Sequence, residues 1–274
     1  MIHINNLKIK RNTFTLDIPI LDLDSGKLIL VVGANGNGKS TLLKLLSGGL
    51  QADSGTVKIA NKTAQDYALT EGVCYIPSQF PFKTSIRLSD LGGFGEALIP
   101  NWDIRLFMNQ VKAMGFTNLD RVDEISQGQQ QQILYHFMMQ KQSNLHLLDE
   151  PTLGLDARHL QILRDDIQTK LLNEDHTVIL ATNAPEHFEA IADEIVLMSN
   201  GRCIAAETIE NLKDRYQGMT QEAWNKIQRD DAVIGISNSG LRIIDSKLYY
   251  DERMQRLALV PILKALVDQH ENIS

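Results

Sequence analysis

The chain has 274 residues, 43% of them hydrophobic, enough to bury a core in one large domain or two small ones. Its 27 basic and 34 acidic residues leave a net charge of −7, which disfavours general electrostatic binding to nucleic acid or anionic lipid. The aliphatic runs are too short to cross a bilayer, residues 1–6 lack a charged-then-apolar secretion signal, and Cys74 and Cys203 have neither metal-ligand spacing nor a disulfide framework.

Residues 1–32 alternate apolar and polar (Ile2, Ile4, Leu7, Ile9; then Phe14, Leu16, Ile18), which predicts short strands, with a turn at residues 24–27. Residues 28–32 are continuously apolar and read as a buried strand. Gly33-Ala34-Asn35-Gly36-Asn37-Gly38-Lys39-Ser40-Thr41 follows and matches Gly-x-x-x-x-Gly-Lys-Ser, a phosphate-binding P-loop. Leu42, Leu43, Leu45 and Leu46 then fall at helical spacing before Gly48-Gly49, a helix stop. Glycines let backbone N–H groups surround phosphate oxygens, and the helix N-terminus adds partial positive charge. Lys39 would bring a full charge to the β/γ-phosphates, and Ser40 a hydroxyl to Mg2+. A glycine-rich turn with a chance lysine would not need a strand before it and a helix after it.

Residues 56–59 and 73–76 predict further strands, the second running into Ile76-Pro77-Ser78-Gln79. Residues 82–140 then read as helical segments, including 103–114, where Leu106, Phe107, Gln110, Val111 and Met114 fall at helical spacing. Ile125-Ser126-Gln127-Gly128-Gln129 precedes a helix with Ile133, Leu134, Phe137 and Met138 on one face. Ser126 and the Gly128 backbone therefore stand at a helix N-terminus, as a second anion site or as an ordinary cap. Residues 145–149 are a strand ending in Asp149 and Glu150. After a P-loop, the first carboxylate at such a strand end assists Mg2+ and the second can polarise a water; a solvated acidic turn is the plainer alternative. Strands at 177–181 and 194–198 complete a layered α/β pattern with a mostly parallel sheet. Beyond Gly201 lie a helix at 209–216, a hairpin of 233–236 and 241–244 around 237–240, and a terminal helix at 257–269 with Pro261 near its first turn.

With the P-loop ahead and the acidic strand behind, Ile-Ser-Gln-Gly-Gln resembles the Leu-Ser-Gly-Gly-Gln signature of the ATP-binding cassette (ABC) ATPases, differing at its first and third positions. Five motifs stand in the family's order over about residues 1–215. The resemblance implies that Gln79 is the glutamine that touches Mg2+ and the attacking water. It implies that Gly154-Leu155-Asp156 is the D-loop, and that Ser126, Gly128, Gln129 and Asp156 serve the ATP site. Asn183 stands where the family carries a switch histidine, with His187 four residues on. An asparagine can hydrogen-bond a γ-phosphate but cannot carry positive charge, so slow hydrolysis is expected. The adenine-stacking tyrosine has no counterpart: Lys10-Arg11-Asn12 occupies the region, and Phe14 is either a platform or core.

The expected fold is therefore an α/β P-loop NTPase core with an antiparallel β-subdomain, a helical signature subdomain and a small C-terminal extension. The ATPase domain is expected at 1–216, its helical subdomain at about 82–140, and the extension at 217–274. The extension is either a packing or dimer-stabilising appendage or a regulatory, partner-docking module. The resemblance further implies a subunit that binds and hydrolyses ATP with Mg2+. It would dimerise head to tail, as homodimer or heterodimer, and drive a separately encoded membrane permease from the cytoplasmic face of the cell membrane. Pro100-Asn101-Trp102-Asp103 and Val260-Pro261-Ile262-Leu263 resemble bacterial drug, peptide and antibiotic exporters, so export is the expected direction. The alternatives are a regulatory, mechanotransmitting ABC ATPase and a soluble one acting on nucleic acid or ribosomes; a single P-loop, no heptads and acidic charge disfavour the last.

Overall fold

A computed structural model describes residues 2–11, 14–82, 85–173, 175–226 and 230–273. The alternating N-terminal residues form an antiparallel hairpin of β1 (Ile2–Arg11) and β2 (Phe14–Leu23). A period of two, shifted by one residue at a bulge around Asn6 (φ 47°), puts Ile2, Ile4, Leu7, Ile9, Leu16 and Ile18 into the core. β3 (Leu28–Val32) is buried along its whole length, as its unbroken apolar run requires of a central strand covered on both faces. β4 (Ser54–Ile59) pairs with β1, and β5 (Lys62–Thr63) extends that edge. β6 (Cys74–Ile76), β7 (Leu145–Asp149), β8 (Thr177–Thr182), β9 (Glu194–Ser199) and β10 (Arg202–Thr208) complete a ten-stranded sheet. Its order is β5-β4-β1-β2-β10-β9-β3-β8-β7-β6. The strands from β9 to β6 are parallel to one another, whereas β10 turns back antiparallel on β9. A single residue pair, Arg202 with Asp17, joins the antiparallel part to the parallel part.

This order brings the carboxyl ends of β3, β7 and β8 side by side, where open α/β sheets bind ligands. The P-loop, Asp149-Glu150 and Asn183 all leave the sheet at that edge.

Helices Leu88–Leu98, Ile104–Ala113 and Gln127–Met138 lie between β6 and β7 and build their own apolar cluster. Asp103 caps the second of these, accepting from the N–H groups of Arg105 and Leu106. Trp102 is buried there, its ring beside Phe107 and Phe137 and its Nε1 donating to the Phe137 carbonyl at 3.2 Å. Gly95 faces it so closely that a Cβ would lie 2.4 Å from the indole.

The chain beyond β10 forms a second sheet. Tyr216, expected to end a helix, instead opens β11 (Tyr216–Met219), because its backbone pairs with Asp245 and Arg215 ion-pairs with the same carboxylate. With β12 (Val233–Ile236), β13 (Arg242–Asp245) and β14 (Gln255–Arg256) the order is β12-β13-β11-β14. The second hairpin strand thus runs one residue later than expected. The terminal helix spans Leu259–Ile273, two residues later than expected at its start. Its Leu259, Ile262 and Leu263 join one buried cluster with Leu28, Leu180 and Leu197 of the main sheet. Among the described residues no helix is long and apolar enough to cross a membrane.

Candidate nucleotide site

Where β3 ends, the backbone crowds β9: a Cβ on Gly33 would lie 2.4 Å from the Met198 carbonyl oxygen. Gly36 and Gly38 turn the loop through φ of 85° and 99°, conformations that cost other residues energy. Gly38 then caps helix Lys39–Leu46, whose first N–H groups face the loop. Lys39 is only 5% exposed. Its Nζ donates to the carbonyls of Gly33 (2.7 Å) and Ala34 (3.4 Å) and lies 3.1 Å from Glu150 Oε1. Ser40 Oγ donates to Asp149 Oδ1 at 2.9 Å.

Asp149 is buried at the end of β7, and Glu150 follows with φ of 49°, an uncommon conformation for a residue with a side chain. Two contacts hold it there. Its N–H donates to the Ala181 carbonyl at 2.9 Å, and its Oε2 accepts from the Asn183 N–H at 3.3 Å. Strain of this kind collects at functional sites when neighbours enforce it. Nearby, burial and then the charge of Asp149 raise the pKa of the Tyr75 phenol, so it stays neutral.

These groups line a cleft of about 800 Å³. Its lining includes Asn35, Gly36, Gly38, Lys39, Ser40 and Thr41 of the loop and helix start, together with Gln79, Glu150, Asn183 and Phe14. Gly33, Ala34 and Asn37 stand behind the lining. Asn37 turns its amide away: Nδ2 donates to the Met198 carbonyl (3.1 Å) and Oδ1 accepts from the Asn200 N–H (3.3 Å). Phe14 is both cleft wall and edge of the core, packed on the Gly38 backbone. Lys10 and Arg11 end β1 beside Asp53, and Asn12 lies outside the described residues. His187 is not in the lining; its carbonyl accepts from Arg164 Nε.

Ser126, Gln129 and Asp156 line a different cleft, of about 500 Å³. Ser126 caps helix Gln127–Met138 in a reciprocal box with Gln129: Ser126 Oγ accepts from the Gln129 N–H at 3.4 Å, and Gln129 Oε1 accepts from the Ser126 N–H at 3.0 Å. Gly128 packs on the D-loop so tightly that a Cβ would lie 2.3 Å from the Gly154 carbonyl. Asp156 caps helix Ala157–Leu171, accepting from the His159 N–H at 2.9 Å, and that bond lowers its pKa. One chain therefore does not bring its signature serine to its own P-loop. Gln127, the third-position departure from the signature, does line the nucleotide cleft.

The oxygens of Ser40, Asp149 and Gln79 are the hard donors that Mg2+ prefers. Among the described residues no cluster of three His, Cys, Asp or Glu forms a closed metal cage.

A family model described as ABC transporter matches residues 16–153. The hemin import ATP-binding protein HmuV of Rhodopseudomonas palustris is 30% identical over 198 residues, covering 68% of this chain and 74% of that protein. The high-affinity zinc uptake system ATP-binding protein ZnuC of Bacillus subtilis is 27% identical over 206 residues, 69% of this chain and 87% of its own. Among solved structures, the fold is shared with a dimeric ATP-binding cassette in a post-hydrolysis state bound to ADP and Pi: TM-score 0.64, 17% identity, 76% of this chain and 99% of that one. The chain belongs to the ABC transporter family, as an ATP-binding subunit and ATPase that takes ATP with Mg2+ on an α/β P-loop fold.

Proposed function

We propose that this chain hydrolyses ATP between its own P-loop and the signature segment of a second cassette, and that closure of the pair drives a separately encoded membrane permease. The observation that carries this reading is the division of the motifs between two clefts. Lys39, Ser40 and Glu150 line one, with buried Asp149 bonded to Ser40 behind it, whereas Ser126, Gln129 and Asp156 open on another. A second copy or a sister subunit, turned head to tail, would complete the site. ATP then favours the closed pair because only that state offers both halves of the site.

The P-loop N–H groups and Lys39 would hold the phosphates, and Glu150 would take a proton from water as its oxygen attacks the γ-phosphorus and the bond to the β-phosphate breaks. Bound Mg2+ would be held by Ser40, Asp149 and Gln79 and would supply charge neutralisation to the phosphates. Asn183, whose backbone N–H donates to Glu150 and which lines the cleft, would offer a neutral side-chain amide where a cation could help, which favours slow turnover. The subunit would sit peripherally at the cytoplasmic face of the membrane, on its permease.

Direction belongs to the permease. Two short matches imply export, but Trp102 and Ile262 sit in buried clusters, and packing accounts for both. The hemin and zinc relatives favour uptake as a second reading. Inside-out vesicles carrying the chain and its copurified permease test all of this. ATP-dependent flux into the lumen means export, and flux outward means import. ATP turnover without flux would overturn transport in favour of mechanotransmission.

A further inference from the structure

The turn between β9 and β10, residues 199–202, touches three parts of the molecule. Toward the P-loop, the Asn37 amide bridges the Met198 carbonyl and the Asn200 N–H. Toward β2, the Asp17 N–H donates to the Gly201 carbonyl at 2.8 Å, and a Cβ on Gly201 would lie 1.9 Å from the Thr15 carbonyl. Toward the terminal helix, the buried Ser199 hydroxyl donates to Glu271 Oε1 at 3.3 Å. Asn200 and Gly201 make the turn, at φ of 48° and 75°. Asn37 is flanked by two glycines that line the nucleotide cleft, yet it does not line it itself.

We propose that Asn37 is a positioning residue that fastens the P-loop to this turn, and that the terminal helix reaches the nucleotide site through Glu271 at the same turn. The inference rests on the reading of the P-loop cleft as the ATP site. A loop turning on two left-handed glycines has many conformations to lose before its N–H groups converge on an anion. An amide hydrogen-bonded to the backbone of a strand end removes much of that freedom beforehand. Met198 adds a second restraint, since its carbonyl already abuts Gly33. The terminal helix, packed on the main sheet through Ile262 and Leu263, loads the turn from the other side.

The test is Mg-ATP binding and steady-state hydrolysis for Asn37→Ala, Glu271→Ala, the double variant and Lys39→Ala. Asn37→Ala should weaken binding and raise KM about 5- to 10-fold, the scale of two neutral hydrogen bonds, while kcat at saturating ATP changes less than about twofold. Glu271→Ala should weaken binding by roughly 2- to 3-fold in the native background and add nothing to Asn37→Ala. Unchanged binding in Asn37→Ala, with Lys39→Ala weakened, overturns the clamp. Unchanged binding in both overturns the reading of the site beneath it. A fall in kcat at constant KM means loss of active protein and overturns the positioning role. Additive effects, or none from Glu271→Ala, remove the terminal helix from the clamp.

Discussion

Lys39 Nζ lies 3.1 Å from Glu150 Oε1, so the cation assigned to phosphate and the carboxylate assigned to water are ion-paired with each other. The pair is largely buried, at 5% and 17% side-chain exposure, where charges interact more strongly than at a surface. An incoming phosphate must therefore compete with Glu150 and with the Gly33 carbonyl for the ammonium. Its success would free Glu150 from the ion pair.

Lys39→Ala should weaken Mg-ATP binding. A charge-assisted hydrogen bond is worth about 1.5–3 kcal/mol, roughly a 10- to 150-fold change in Kd. Titration calorimetry checks this, and unchanged affinity would remove Lys39 from the phosphate site.

Glu150→Gln should keep ATP binding and lose hydrolysis, because the amide cannot take a proton from water. The two clefts then predict that ATP traps this variant as a dimer on size-exclusion chromatography. Ser126→Arg, placed in the same chain, should abolish that dimer by putting bulk and charge at the signature cleft. A dimer that persists in the double variant sinks the head-to-tail assembly.

Asn183→His should raise turnover at saturating ATP several-fold, with a smaller change in affinity. The bond from residue 183 to Glu150 comes from the backbone N–H, so it survives the substitution, and only the side chain facing the cleft changes. Losing one preorganised donor can cost about 2.7–4 kcal/mol in a barrier, part of which the asparagine amide already offsets. Turnover should be measured on the purified chain and on the native complex. No gain in either would mean that position 183 is not a weakened switch.

His146, fully buried on β7, should limit stability in acid. Burial, then the nearby charges of Lys170 and His176, lower its pKa from 6.5 to about 3, and neither ring nitrogen has a hydrogen-bond partner among the described residues. Between those values the unfolded chain takes a proton that the folded chain refuses. The contribution to stability is thus complete above the unfolded pKa and is lost as pH falls toward the folded one. His146→Leu should raise Tm at about pH 5 by roughly 2–4 °C or more and flatten the acid side of the Tm profile. The residual slope would belong in part to His176, whose pKa is also lowered. A slope as steep as that of the native chain would refute the assignment.

Much of this protein was legible locally. The P-loop, the strands at 28–32, 145–149 and 177–181, and the helix after Ser126 follow from short-range rules: alternation, an unbroken apolar run, glycine at left-handed turns, a capping serine. Such rules act within a few residues, and a reader of the chain meets them in order. That is why Asp149 could be expected at a strand end, while its hydrogen bond to Ser40, 109 residues away, could not. The second sheet was only half visible. Its β11 is decided by pairing with β13 and β14, which overrides the helical pattern running up to Tyr216. The same holds for the left-handed backbone of Glu150, imposed by Ala181 and Asn183, and for Asn37, whose residue type matches a loop yet whose amide is claimed by Met198 and Asn200. Only the folded chain showed that Ser126 and Lys39 open on separate clefts, because the distance between two motifs depends on strand order and not on their spacing in the chain.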